Sequence, residues 1–157
     1  MEPNPDAVKD FSHNRAEDTN VCLAIGESEG ILPYYSFNDP AVNSFSKAHA
    51  ALWLKDPNFK LEKISDIKVM PLSKVLDIYL PDGQQIDFLS IDAEGLDLKV
   101  LRSNNWEKYR PSIILVEDSL YDFISFSESA VYNYMTSVGY RLWEISGGTL
   151  IFERQEK

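Results

Sequence analysis

A chain of 157 residues with 44% hydrophobic and 12% aromatic side chains carries enough apolar material for one compact core and does not have the composition of a disordered segment. Its net charge of −10 and pI near 4.6 disfavour nucleic acid and anionic membrane surfaces, which are held by Lys and Arg. A single cysteine excludes an internal disulfide; with no apolar run of transmembrane length and a polar start without the marks of a signal peptide, the chain reads as a protein of the reducing cytoplasm.

The elements follow in order. Met1 to Pro5 is extended and proline-marked, and Asp6 to Arg15 suits a short helix. Asn20 to Ile25 is β-like and closes at Gly26; Cys22 within it reads as a small core residue. Gly30 to Phe37 is a second strand, followed by the turn Asn38-Asp39-Pro40. Ala41 to Leu54 has helix formers, interrupted by Asn43, Ser44 and Ser46. Ile67 to Met70 suits a short strand and Leu72 to Ile78 a helix, ended by Pro81-Asp82-Gly83. His13 and His49 stand alone, without metal-ligand spacing, and read as surface or structural residues.

The second half is more strongly patterned. Ile86 to Ile91 is an apolar run expected to be a buried strand. Leu96 to Trp106 fits one helix face, although Leu96, Leu98 and Val100 also alternate as in a strand. Ser112 to Val116 is a second apolar run. Ser125-Phe126-Ser127-Glu128 has the form of a capping box opening a helix to Val138, with Gly139 as its C′ residue. Tyr140 to Ile145 and Thr149 to Glu153 flank Ser146-Gly147-Gly148 and predict a terminal β-hairpin. Strand, helix, strand, helix predicts an α/β fold: a mostly parallel sheet, covered on both faces, with the antiparallel hairpin at one side.

Both central apolar runs end in acids: Asp92 and Glu94 after one, Glu117 and Asp118 after the other. Ligands of open α/β sheets sit outside the carboxyl ends of the strands, so these four are candidate site residues. Gly95 would let backbone approach closely and help the next helix begin. Two plainer readings stand beside this. Asp92 could cap the helix and Glu94 favour its dipole, or the carboxylates could hold Mg²⁺ or Ca²⁺, although no spacing is diagnostic of a metal site.

The segment IDFLSIDAEGLDLKVL followed by YRPSIILVED resembles the FkbM-type methyltransferases. Their hallmark is an apolar strand running into Asp-x-Glu-Gly, a helix, and an Arg-Pro-x-apolar strand ending in Glu. The segments EPNP at Glu2 to Pro5, CLAIGESEG at Cys22 to Gly30, FNDPAVNSFS at Phe37 to Ser46, VMPLSKVLD at Val69 to Asp77 and the late VGYRLWEI fit the same order, so the resemblance spans nearly the whole chain. It implies a single Rossmann-like methyltransferase domain over residues 1–157 that uses S-adenosylmethionine. It implies that Glu2 binds the cofactor ribose, where a carboxylate offers two acceptors to a vicinal diol. Asp92 would lie beside the cofactor's methionine end or the methyl acceptor, Glu94 would support the loop, and Glu117 would face the acceptor. Asn43 and Ser44 would line the crevice, and Asp118 would join them in substrate binding. The plainer alternatives are a frayed terminal residue at Glu2 and an ordinary polar turn at Asn43-Ser44. The acceptor implied is a small-molecule or saccharide hydroxyl.

The family pattern begins earlier, with a first strand and a Gly-rich cofactor turn. Here Glu2 already stands at the expected second-strand tip, so a βα unit of roughly 30 residues is not represented, and the seven glycines are scattered. The expectation is an N-terminally truncated fold with unpaired sheet edges, prone to homodimerise through one of them. Three functions compete. The retained acids favour a methyltransferase. The missing loop favours a non-catalytic methyltransferase-like remnant acting as a binding or assembly module. A metal-dependent carboxylate enzyme is the third, marked by stabilisation on adding Mg²⁺ or Ca²⁺.

Overall fold

The computed structural model describes residues 1–93, 95–118 and 128–155. The chain forms two compact units, Met1–Met70 and Pro71–Lys157.

In the first unit, helix α1 (Pro5–Asn14) opens where the Asn4 side chain accepts the Asp6 N–H and Pro5 supplies a pre-set first turn. Strand β1 (Ala24–Ile25) pairs parallel with β3 (Leu61–Met70), and β2 (Gly30–Phe37) pairs antiparallel with β3, giving the order β1-β3-β2. Glu2 adds a parallel bridge to Cys22 and Ser44 an antiparallel bridge to Tyr35. One face of the sheet is core: Ala24, Tyr34, Ile67 and Val69, with Phe45 against them. The other is covered at one end by a second cluster of Phe37, Val42 and Ala50, with Tyr35, Phe59 and Leu61 against it, while Ile31 and Ile64 stay exposed. Gly26 is required sterically, since a Cβ there would lie 2.8 Å from Val69 Cγ1.

Three expectations for this unit change. Cys22 is exposed rather than buried, because Leu23 and Ala24 take the core positions. The strand expected at Ile67–Met70 runs back to Leu61, masked in the sequence by its outward Glu62, Lys63, Asp66 and Lys68. The helix expected over Ala41–Leu54 becomes a 3₁₀ turn at Pro40–Val42 and then α2 (Lys47–Trp53), which starts where Ser46 Oγ accepts the His49 N–H. The polar residues between divert the backbone: Asn43 Oδ1 accepts the Phe37 N–H at 2.7 Å, and Ser44 exchanges backbone bonds with Tyr35.

The second unit contains α3 (Leu72–Tyr79), β4 (Phe88–Ile91), α4 (Asp97–Arg102), β5 (Ile113–Glu117), α5 (Ala130–Ser137), β6 (Tyr140–Ser146) and β7 (Thr149–Arg154). The sheet order is β4-β5-β7-β6, and only β4 and β5 run parallel. Pro71 gives α3 no side-chain cap; Ser103 Oγ accepts the Leu72 N–H instead. Leu101, Ile114, Met135, Leu150 and Phe152 are sealed in the core. Burying each such side chain contributes roughly 1.5–3 kcal/mol.

The mostly parallel sheet expected from the sequence is not what forms. Two small sheets carry two parallel and three antiparallel strand pairings. The two-residue Gly147-Gly148 connection forces β6 and β7 antiparallel, and β7, not β6, then lies against β5. Nor is β4 buried on both faces. Among the described residues it has a strand partner on one side only, and Phe88 is 65% exposed. Helix α4 is shorter than the expected Leu96–Trp106, because Ser103 caps it and the Trp106 indole N–H donates to Leu101 O. In the expected capping box, positions 125–127 lie outside the described residues; α5 begins after it, with Ser129 Oγ accepting the Tyr132 N–H. Gly139 follows α5 at φ 86°, as a C′ residue does. There the Arg110 guanidinium donates to the carbonyls of Trp106, Val138 and Gly139, which gives the Arg-Pro pair a structural task.

Candidate active site

Ile91 on β4 is paired with Val116 on β5. Asp92 and Glu117 are each the next residue along their strands, so both leave the carboxyl end of one parallel pair at the same level, on strands ~4.8 Å apart. Asp92 is exposed, and its carboxylate has no hydrogen bond or ion pair among the described residues. Glu117 is half-buried at the last position of β5. Asp118, one residue on, is tied down. Its N–H donates to Gly148 O, and its carboxylate accepts Ser129 Oγ–H at 2.6 Å. Glu94 lies outside the described residues.

The turn after β4 is built by the backbone. Leu96 N–H donates to Ala93 O at 3.0 Å, and Gly95 takes φ 85°. Gly95 supplies the left-handed backbone of this turn, and a Cβ there would meet no protein atom within 4 Å. The residue before α4 is Leu96, with no side-chain cap bond, so Asp92 does not cap this helix. Asp97 escaped notice in the sequence. It is 5% exposed, and its two oxygens accept the N–H groups of Ala93 and Gly95 at 3.0 and 3.1 Å. The signal was an acid two places after the glycine, which reads equally as a helix-dipole residue.

In the first unit Glu2 is bridged to Cys22, with its N–H on Val21 O, and is not frayed. One carboxylate oxygen accepts the Asn4 N–H at 2.7 Å. Asn43 and Ser44 lie against β2, across the strand order from Glu2 and four strand spacings away, on the order of 19 Å. Both use an acceptor oxygen internally: Asn43 on Phe37 N–H and Ser44 on Ser46 N–H. Thus Asp92, Glu117 and Asp118 cluster in the second unit, whereas Glu2 stands at one edge of the first unit's sheet and Asn43 and Ser44 at the other.

Other chemistry is limited. Among the described residues no group of three or more His, Cys, Asp or Glu is arranged to hold a metal ion, and no helix is long and apolar enough to cross a membrane. Lys108 and Tyr109 OH both bond the exposed Asp77, and those contacts hold its carboxyl below the usual range.

A family model described as the methyltransferase FkbM domain matches residues 1–142. No curated protein and no solved structure matches the chain.

Proposed function

The chain belongs to the FkbM methyltransferase family, and from that premise we propose that it is an S-adenosylmethionine-dependent O-methyltransferase acting on a hydroxyl of a small molecule or saccharide. The observation that supports this reading best is the matched register of β4 and β5, which brings Asp92 and Glu117 out together at the strand ends where α/β sheets meet ligands.

The residues fit the cofactor's chemistry. Glu2 spends one oxygen on the Asn4 N–H, which fixes the carboxylate and leaves the second oxygen for a ribose hydroxyl. Asp92, exposed and unengaged among the described residues, suits the methionine end or the acceptor. S-adenosylmethionine supplies an electrophilic methyl on a sulfonium sulfur. The protein's part is alignment and proton handling. Asp92 would orient the acceptor hydroxyl toward that methyl and take the hydroxyl's proton. Glu117 bounds the acceptor pocket, and Glu94 keeps its assignment to the loop by resemblance. Asn43, Ser44 and Asp118 likewise keep their assignment to acceptor binding by resemblance.

Isothermal titration of the protein with S-adenosylmethionine and S-adenosylhomocysteine tests this. Saturable binding in the micromolar range is expected. No heat at millimolar ligand overturns it.

A second reading has one observation in its favour. The edge of β4 carries an exposed Phe88 and no further strand among the described residues, which suits a module that assembles through that edge with a second copy of the chain. Light scattering at micromolar concentration decides it: a dimer supports the module and a monomer removes it.

A further inference from the structure

We infer that Asp97 is a positioning residue that locks the turn after β4 into one geometry and thereby aims Asp92; the aiming of Asp92 rests on the reading of Asp92 just given. A carboxylate at 5% exposure is costly unless its charge is met. Among the described residues no Lys or Arg meets it. Its two oxygens are spent on two peptide N–H groups, those of Ala93 and Gly95, on either side of position 94. Charge-assisted bonds of this kind are about twice as strong as neutral ones.

An ordinary helix-start role does not account for this. Asp97 is the first residue of α4, and its side chain turns back along the chain rather than onto the helix's own N–H groups. The N-cap position belongs to Leu96, which offers no side-chain acceptor. The backbone it grips contains a left-handed Gly95 and closes through Leu96 N–H to Ala93 O. Gly95 alone makes that turn accessible; a glycine in open space also makes it loose, because nothing limits its other conformations. The carboxylate removes that freedom. Asp92, joined directly to Ala93, inherits the fixed direction while staying exposed.

The test uses Asp97→Asn and Asp97→Ala in the whole chain. Asparagine keeps the shape but turns an amide donor toward one of the two N–H groups; alanine removes both acceptors. Residue-resolved amide exchange should show Ala93 and Gly95 protected in the parent protein. They should exchange at least about tenfold faster in Asp97→Asn, while core amides such as Ile114 and Phe152 are unchanged. S-adenosylhomocysteine affinity should fall about tenfold in the same variant, with the melting temperature little altered. Fast exchange at Ala93 and Gly95 in the parent overturns the inference. So does a rise in exchange spread evenly over the unit, which would mark a merely structural carboxylate. Should Asp97→Ala fail to fold, the temperature coefficients of those two amide protons in the parent decide the bonding directly. Absence of ligand binding by the parent would remove the proposed function, while the exchange data would still decide whether Asp97 fixes the turn.

Discussion

The Asp118 carboxylate accepts a 2.6 Å hydrogen bond from Ser129 Oγ, and the same oxygen of Ser129 accepts the Tyr132 N–H at 3.0 Å. The acid that follows β5 is therefore wired to the first turn of α5. Its backbone is fixed as well, through Asp118 N–H to Gly148 O in the terminal hairpin. One residue joins the candidate site, a helix start and a β-turn.

That link makes two substitutions non-additive. Ser129→Ala removes the helix cap and one hydrogen bond to Asp118, at a cost of about 1 kcal/mol. Asp118→Ala leaves the Ser129 cap bond in place but takes away the acceptor that orients the hydroxyl. A double-mutant cycle read by urea unfolding should give a coupling of about 0.5–1.5 kcal/mol between them. Independent costs that simply add would show that the contact contributes nothing.

Asp92 should behave in the opposite way. It is exposed and bonded to nothing among the described residues, so Asp92→Ala should change stability by less than about 0.5 kcal/mol. If Asp92 serves the cofactor or the acceptor, the same change should weaken S-adenosylmethionine binding by about tenfold or abolish transfer. Comparing the melting temperature with a titration on one sample separates the two. A stable variant with undiminished affinity and turnover would remove Asp92 from the site.

Much of the fold was legible where local chemistry and burial agree. Gly30 to Phe37 is a strand with the predicted ends, and Leu72 to Ile78 lies inside α3. The terminal hairpin was marked by Gly147-Gly148 between two apolar runs, and Gly139 by its place after a helix. What escaped depends on partners distant in sequence. The first half of β3 has a charged outer face and shows itself only when β2 is laid against it. The apolar run into β4 promised a strand buried on both faces, but burial needs a layer packed on each face, and the pattern cannot say whether one is there; Phe88 stays exposed. At the candidate site the acids at the strand ends were visible, because a strand rule points to them. The register that sets Asp92 level with Glu117, and the backward reach of Asp97, are three-dimensional facts with no signature in spacing alone.

Tyr140 offers a pH test of the second unit's core. It is 1% exposed, and its hydroxyl donates to Pro111 O at 2.8 Å. Burial disfavours the phenolate and pushes the group from the ordinary 10.0 up to about 12, against smaller opposing pulls from Arg110 and Arg154. The native state thus keeps a proton that the unfolded chain releases. The stabilisation from this residue is complete below about pH 10 and is lost as pH rises toward 12. Tyr140→Phe should cost about 1 kcal/mol at neutral pH, because Pro111 O loses its donor. The gap between parent and variant in urea midpoint should then narrow between pH 10 and 12, because only the parent has this proton to lose. A gap that holds constant through that window would mean that the Tyr140 hydroxyl is not buried against Pro111.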